Sequence, residues 1–499
     1  MKKLNSRIIA ILLIAAMAFS VLVACGQPQQ DDGQSTPDGG DNTTSASVVE
    51  TTPAETTENP YDENGYLKDD IPEDINFDNQ VINVLYWNNA KNVEYTAEDD
   101  GNIINSAIFN RNIAVEERLG VTFSWIGEKG DYGQRADFNK IIAADLSGAC
   151  EYDIISAYST TIAMAATYGY ALDLLQYDEQ LQLDKPWWGA DLTNMATIND
   201  KLYFATGDIS TNYLLRMYGT FFNKQLISQN GMTSPYDYVD KNEWTVDKFI
   251  ELASAFNGDP NGGAPLYGFV NDAITVEALF YGSDLRFVDK DSNDVPFLSD
   301  SWSGERAQTL IDKMAAYCTT PSVLIDSKND EALFTEGSSL FIIYSLDLAM
   351  NHLSGSSLDF GIVPIPKYDS QQQNYSTTLN YKYSLYMISK GTDIPEIAAY
   401  ALEALASEGY RKVTPDLYEK AMKVRYVTDD ISQKMIDYIR DGVSFEIGRT
   451  FTHSFDYQTY RTIRAAIAGT AEKGWQSTVS SFDKVLDKQL QLLVESLNQ

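Results

Sequence analysis

His352 and His453 are the only histidines in the 499-residue chain, and they stand far apart. No His-x-x-x-His or Cys-x-x-Cys spacing occurs, so the ligand sets that hold zinc are missing, and neither a metal nor a cofactor is expected. There is no Gly-x-Ser-x-Gly elbow, no Gly-x-x-x-x-Gly-Lys-Ser/Thr loop, and no histidine beside a nucleophile to serve as general base. Gly127-Glu-Lys-Gly130-Asp-Tyr-Gly133 lacks the strand-to-helix setting of a phosphate cradle and reads as a flexible loop. Asp289 to Asp300 begins like a calcium loop. Its sixth and twelfth places hold Asp294 and Asp300 where glycine and glutamate are wanted, so a polar hairpin turn fits better. Acids are too common for a catalytic pair to stand out, and no catalytic residue is predicted. What remains is aromatic. The 31 tyrosines each carry a flat apolar face and a polar tip, suited to stacking on a ligand and equally to ordinary sheet packing. Trp187-Trp188 reads as a packing pair, and His453 as a hydrogen-bonded structural histidine.

The elements that must position such residues alternate. Gln80 to Trp87 is a short apolar run, read as a buried strand. Ile104, Ile108, Val115 and Leu119 have helical spacing, and Gly120 stops that helix. Val121 to Trp125 is a strand, Phe138 to Leu146 a helix, and Tyr152 to Ala157 a strand. The alternation argues for a parallel α/β sheet. Thr245 caps a helix through Phe256. Ser339–Tyr344, Phe360–Val363 and Tyr383–Ile388 are further strands, and Pro395 opens a helix that Gly409 closes. The chain ends in an amphipathic helix burying Phe482, Val485, Leu486, Leu490 and Leu493.

The formal charge of -34 excludes a general nucleic-acid binder, because little here would neutralise phosphates. Lys2, Lys3 and Arg7 precede an apolar run from Ile8 to Val23, which is an export signal and too short for a membrane span. Leu22-Val23-Ala24-Cys25 resembles the lipobox of bacterial lipoproteins. The resemblance implies removal of residues 1–24, lipidation of Cys25, and a place at the extracellular face of the cell membrane. Residues 25–75 are rich in Gln, Asp, Gly, Thr, Ser and Pro and read as a disordered tether. Cys150 and Cys318 are expected to be buried free thiols, although an exported chain can pair them.

Several short blocks, in order, resemble the extracellular solute-binding proteins of bacterial ABC importers, especially the large sugar-binding group. They are Glu116-Glu-Arg-Leu-Gly-Val121, Tyr152-Asp-Ile-Ile155 with Ala171-Leu-Asp-Leu174, Lys201-Leu-Tyr-Phe-Ala205, Thr220-Phe-Phe-Asn-Lys-Gln-Leu226 with Glu243-Trp-Thr-Val-Asp-Lys-Phe249, Phe360-Gly-Ile-Val-Pro-Ile-Pro-Lys367 and Ile388-Ser-Lys-Gly391. The resemblance implies an α/β fold of two lobes joined by a multi-crossing hinge, with a ligand cleft between them. Lobe I would hold residues 76–208 and 364–409, and lobe II residues 209–363 and 410–499. Cys150 and Cys318 would then lie in different lobes, where a bridge would lock the motion. Crossings are expected near Ala205–Tyr213, Val363–Lys367 and Ser407–Lys412.

The same resemblance implies a site on loops after strand ends. Its candidates are Trp87, Asn88, Asn89, Tyr158, Ser159, Thr160, Asp208, Arg216, Tyr281, Asp284, Tyr344, Asn380, Tyr381, Phe455 and Tyr457. The implied function is capture of a solute, a carbohydrate or oligosaccharide, by a monomer that delivers it to permease subunits without catalysis. A surface glycosidase or other hydrolase and a non-transport adhesion lipoprotein are the alternatives. The sequence departs from the family in two places. The Asp259–Gly268 loop lacks the acids some relatives carry, so no calcium is expected, and Tyr344-Ser-Leu346 lacks the Gly-x-Trp of well-known sugar binders.

Overall fold

The computed structural model describes residues 59–258, 265–325, 328–426 and 430–498, all within one compact unit. The leader, Cys25, the tether up to residue 58 and residues 259–264 of the loop expected to lack calcium fall outside the described residues. Residues 59–75, expected in the tether, belong instead to the folded body. Tyr61 pairs with Leu67, and Ile71 is buried. Asp69 accepts from Arg118 at 2.6 Å, Arg411 at 3.2 Å and the Ser407 hydroxyl at 2.5 Å. Burial opposes its charge, but these donors hold its carboxyl down at about 2. The buried Asp69 carboxylate, the Ile71 side chain and the Tyr66 ring on Tyr410 together anchor a segment whose composition reads as linker.

The first sheet has the order β11-β3-β1-β2, with β1 at Gln80–Trp87, β2 at Val121–Glu128, β3 at Ile154–Tyr158 and β11 at Ser384–Ile388. β1 runs parallel to β2 and β3 as the alternation requires, whereas β11 joins antiparallel. Helix α1, Ile103–Leu119, is capped by Asn102, whose side chain accepts from Ile104 N at 2.9 Å. It stops at Gly120, where φ is 61° and glycine takes the left-handed turn freely. Helices α2 (Arg135–Leu146) and α3 (Ser159–Thr167) pack on one another, α3 also on β3 and β11, and α4 (Ala190–Ala196) comes next in the chain.

The second sheet is also mixed, in the order β10-β4-β9-β5-β8. Its strands are β4 (Tyr218–Asn223), β5 (Tyr267–Asn271), β8 (Val323–Ile325), β9 (Ser339–Ser345) and β10 (Phe360–Val363). A small hairpin of β6, Val288–Lys290, and β7, Pro296–Leu298, occupies the segment read as a polar turn rather than a calcium loop. Helix α5, Val246–Ala253, starts at Thr245, whose hydroxyl accepts from Lys248 N at 3.3 Å. Helix α6, Glu305–Cys318, buries the Cys318 thiol, and burial pushes it up to about 12. Cys150 is free as expected but exposed, not buried, on a left-handed turn after α2.

Helix α7, Pro395–Glu408, packs on α1, as do the wide π-type turns Gly409–Val413 and Asp416–Tyr426 that continue it. Residues 410–426, expected in lobe II, therefore lie against the first sheet's helices. Helix α8, Asp430–Asp441, then packs on β10. Helices α9 (Ile447–Thr450), α10 (Gln458–Ile467) and α11 (Trp475–Leu497) complete the chain. In α11 the buried face carries Leu486, Leu490 and Leu493, with Phe482 half-buried, but Val485 points outward and is 52% exposed. Among the described residues no helix is long and apolar enough to cross a membrane.

Two segments run side by side between the sheets, the first turning through a short helix at Thr211–Leu215. Ala205 pairs with Tyr386 and Met217 with Leu379, both antiparallel. The Asn380 amide donates to Arg216 O at 2.8 Å, and Thr206 Oγ1 donates to Ser384 O at 2.9 Å. The return segment comes later in the chain than Val363–Lys367. Residues 364–375 stay with the second sheet: Lys367 pairs with Thr245, Trp244 Nε1 donates to Pro364 O at 2.8 Å, and Arg306 Nη2 donates to Gln372 at 3.2 Å. The first segment is clamped from the side. Glu94, fully buried, accepts from Asn212 N and from the Tyr386 hydroxyl, each at 2.8 Å. Arg111 donates to Ile209 O at 2.9 Å.

Gly207 opens this segment with φ of 153°, and a Cβ there would drive into the Trp187 carbonyl oxygen. Gly207→Ala is expected to cost about 2 kcal/mol or more, since overpacking and backbone strain add. Urea unfolding measures it, and an unchanged midpoint would refute the geometry.

Candidate functional site

The facing strand ends carry tyrosine and arginine. From the first sheet come Trp87 at the end of β1, Tyr158 at the end of β3, and Tyr132 and Arg135 at the entry to α2. From the second come Tyr218 at the start of β4, and Glu277 and Tyr281 beyond β5. Tyr381 lies on the return segment, Arg449 on α9, Tyr457 just before α10, and Tyr460 and Arg464 on α10.

Contacts tie these groups into one surface. The Trp87 and Tyr158 rings meet edge-on at 5.5 Å, and Trp87 Nε1 donates to Ser384 Oγ at 3.1 Å. The Arg135 guanidinium lies 3.8 Å over Tyr132 and 5.2 Å from Tyr457. It donates to Thr160 Oγ1 at 3.0 Å and to Tyr132 O at 2.9 Å. The hydroxyls of Tyr132 and Tyr460 are 3.2 Å apart, which joins the first sheet's side to α10. Arg464 lies 4.0 Å over Tyr460, and Arg449 4.1 Å over Tyr381.

Both arginines converge on Glu277, which is fully buried. Arg449 Nη2 donates to Oε1 and Arg464 Nε to Oε2, each at 2.8 Å. Burial opposes charge on both arginines, yet Tyr381 and Glu277 keep both above the ordinary guanidinium range. The buried hydroxyls of Tyr218 and Tyr381 have no partner. The two hydroxyls share Arg449, Arg464 and Glu277 as neighbours, and buried polar groups in proteins are nearly always paired, by protein or by water.

The remaining expected residues lie at various distances from this cluster. Ser159 donates to Tyr381 O at 2.8 Å and holds the return segment against α3. Asn88 is exposed beyond β1, and Asn89 accepts from Gly130 N at 3.0 Å. Arg216 forms an ion pair with Asp347, and Tyr344 donates to Glu331, both at strand ends of the second sheet. Asn380 accepts from Lys382 N at 3.1 Å. Asp208 is buried under the first crossing segment, bonded to Thr414, and burial pushes its carboxyl up to about 6. Asp284 is exposed on a left-handed turn and lines a separate cavity of about 460 Å³ with Arg286 and Arg306. Phe455, expected in the site, is fully buried against Phe287 at 5.6 Å and is a core residue. Trp187 and Trp188 are buried packing residues, as expected. His453 Nε2 meets Thr167 Oγ1 at 3.3 Å, and burial with Arg135 nearby holds the ring neutral, down at about 3.

Sequence reading missed Tyr132, Arg135, Tyr218, Glu277, Arg449, Tyr460 and Arg464. A signal existed for one of them. Glu277 sits alone in Ile274-Thr-Val-Glu-Ala-Leu-Phe280, and a lone charge in such a run must find a buried partner. Among the described residues no group of three or more His, Cys, Asp or Glu side chains could hold a metal ion.

No protein-family model and no curated protein matches the chain. Solved structures do. A sugar transporter from Rhizobium etli in an open conformation superposes with TM-score 0.55 at 14% identity, covering 84% of this chain and 99% of its own. The maltose-binding periplasmic protein of Listeria monocytogenes, in complex with maltose, gives 0.53 at 12% identity, covering 83% and 99%. A Mycobacterium tuberculosis protein in complex with glycerophosphocholine gives 0.54 at 13% identity, with the same coverage. The chain has the α/β fold of these binding proteins, with its aromatic and arginine-rich surface where the two sheets' strand ends face one another.

Proposed function

We propose that this protein is the solute-binding component of an ABC importer. It would be anchored by lipid on Cys25 at the extracellular face of the cell membrane and would close around a saccharide between its two sheets. The observation that carries the reading is the cluster where the two sheets' strand ends meet. It joins the rings of Trp87 and Tyr158, both buried in this structure, and the exposed Tyr132 to the buried, unpaired hydroxyls of Tyr218 and Tyr381, on a fold shared with sugar-binding proteins. Aromatic faces cover the C–H surface of a sugar ring, and fixed polar groups orient its oxygens. Paired crossing segments suit hinge closure, because ligand would touch both sides only when they meet. Lobe I would centre on the first sheet and lobe II on the second.

Isothermal titration against an oligosaccharide panel, with small-angle scattering of the same samples, tests this. Saturable binding with a smaller radius of gyration is expected. Absence of binding to every saccharide would overturn the reading.

A further inference from the structure

We infer that the captured saccharide is acidic and carries a carboxylate, read here on the arginine cluster of the cleft; the inference rests on the solute-capture reading. The charges facing the cleft do not balance. Arg135, Arg449 and Arg464 are largely buried there, and Arg461 and Lys382 stand exposed at its rim. Against them stand Glu277, shared by Arg449 and Arg464; Asp272, which acts on Arg464; Asp131, 3.9 Å from Lys382; and Glu446, whose carboxylate accepts the Arg449 backbone N at 2.7 Å. Arg135 has no carboxylate partner among the described residues. In a chain of formal charge -34, this one surface has more cations than anions.

The hydrogen-bond inventory points the same way. Arg135 Nη2, Arg449 Nη1, and Arg464 Nη1 and Nη2 have no acceptor among the described residues. The hydroxyls of Tyr218 and Tyr381, both buried, also lack a partner. Acceptors are fewer than donors: both Glu277 oxygens are taken and Asp272 Oδ1 accepts Ile274 N at 2.7 Å, which leaves Asp272 Oδ2 and, beside Arg135, the unpaired Asn139 Oδ1. Every hydroxyl of a neutral sugar brings a donor that needs an acceptor when buried. A carboxylate brings acceptors alone, and the planar guanidinium fork matches its geometry. A donor-rich, acceptor-poor cleft therefore suits an anionic ring substituent, with Trp87, Tyr158 and Tyr132 against the ring faces. The protein's overall negative charge does not prevent this, because solvent ions screen it beyond about 8 Å.

The test is titration of the intact protein with oligogalacturonate, oligoglucuronate and oligomannuronate, each beside its methyl ester and the matching neutral hexose oligomer. At least one free acid should bind about ten- to a hundredfold more tightly than its ester, the worth of one charge-assisted contact. Added salt should weaken the acid and leave the ester unchanged. Arg135→Gln and Arg464→Gln should each shrink the acid-to-ester ratio, and the double variant should bring it to about twofold. Circular dichroism would confirm that the variants fold, and retained ester binding would separate lost charge from lost structure. Equal binding of acids and esters, or binding of neutral oligomers alone, overturns the acidic assignment and leaves solute capture standing. A sulfated oligosaccharide bound more tightly than every uronate overturns the carboxylate. Silence across all saccharides overturns capture itself.

Discussion

Glu277→Gln is expected to destabilise the folded protein by about 3–5 kcal/mol, the cost of leaving buried cations without their anion. Glutamine has nearly the same volume and keeps one carbonyl oxygen, so packing changes little. What changes is the partner of two guanidinium groups. Arg449 reaches Oε1 through Nη2 at 2.8 Å and Nε at 3.2 Å, and Arg464 reaches Oε2 at 2.8 Å. The amide would present a donor to one of these arginines. Neither can shed its proton to escape, because a guanidinium stays protonated in proteins. Pairing the change with Arg464→Gln should recover part of the loss, because one fewer cation is stranded. Urea unfolding of the single and double variants measures both, and a loss below about 1 kcal/mol for the single variant would contradict the buried triad. Replacing a whole buried ion triad by apolar residues is often neutral or stabilising. Stability alone is therefore a poor reason for these three charges to be here, and a ligand is a better one.

How much of this was legible in the sequence depended on whether the signal was local. Strand β1, helix α1 with its Gly120 stop, and the Thr245 cap of α5 stand where apolar spacing and cap residues put them. Each is decided within a few residues of itself. The antiparallel entry of β11 was not legible, because β3 pairs with it across more than two hundred residues. The return crossing was misread for a related reason. Pro364 and Pro366 give the extended backbone a hinge wants, but Lys367 pairs with Thr245 and keeps that stretch beside α5. Within the candidate site, the aromatics Trp87 and Tyr158, expected through the family resemblance, do stand at strand ends. The arginines were not, since Arg135, Arg449 and Arg464 gain their meaning from Tyr132, Tyr381 and Tyr460 on distant segments. Phe455 shows the converse: an aromatic at a promising position whose neighbours turned out to be core.

Stability should fall as pH rises from about 5 to about 9, and Glu403 should account for much of the upper half of that fall. Glu403 is fully buried in α7, where its oxygens accept from Trp187 Nε1 at 3.0 Å and Trp188 Nε1 at 2.9 Å. Burial raises its carboxyl and the two indoles lower it, with Asp69 adding to the rise, so that it stands at about 9 against an ordinary 4.5. The folded state thus holds a proton that the unfolded chain has already lost. The stability this contributes is full below the unfolded value and is lost at about 1.4 kcal/mol per pH unit up to the folded one. Across the window that is about 5 kcal/mol, to order of magnitude. Glu446 at about 7 and Asp208 and Asp330 at about 6 share this sign but are exhausted by neutral pH. His453, held down at about 3, has the opposite sign, and its effect ends near the ordinary histidine value. Cys318, pushed up to about 12, joins only at the alkaline end. Burial also raises the Glu94, Asp191 and Asp272 carboxyls, which share the sign, and Glu403→Gln should flatten much of the interval from about pH 7 to 9. The same tryptophans hold the first crossing segment: Trp187 O accepts Asp208 N at 2.8 Å, and Trp188 pairs with Gly207. Ionising Glu403 puts a bare charge beneath that segment, so alkaline pH should loosen the hinge before the rest of the protein. Hydrogen exchange at Ala205–Asn212 should rise first in the wild-type protein and stay level in the glutamine variant. A pH slope that persists unchanged in Glu403→Gln would remove this carboxyl as its source.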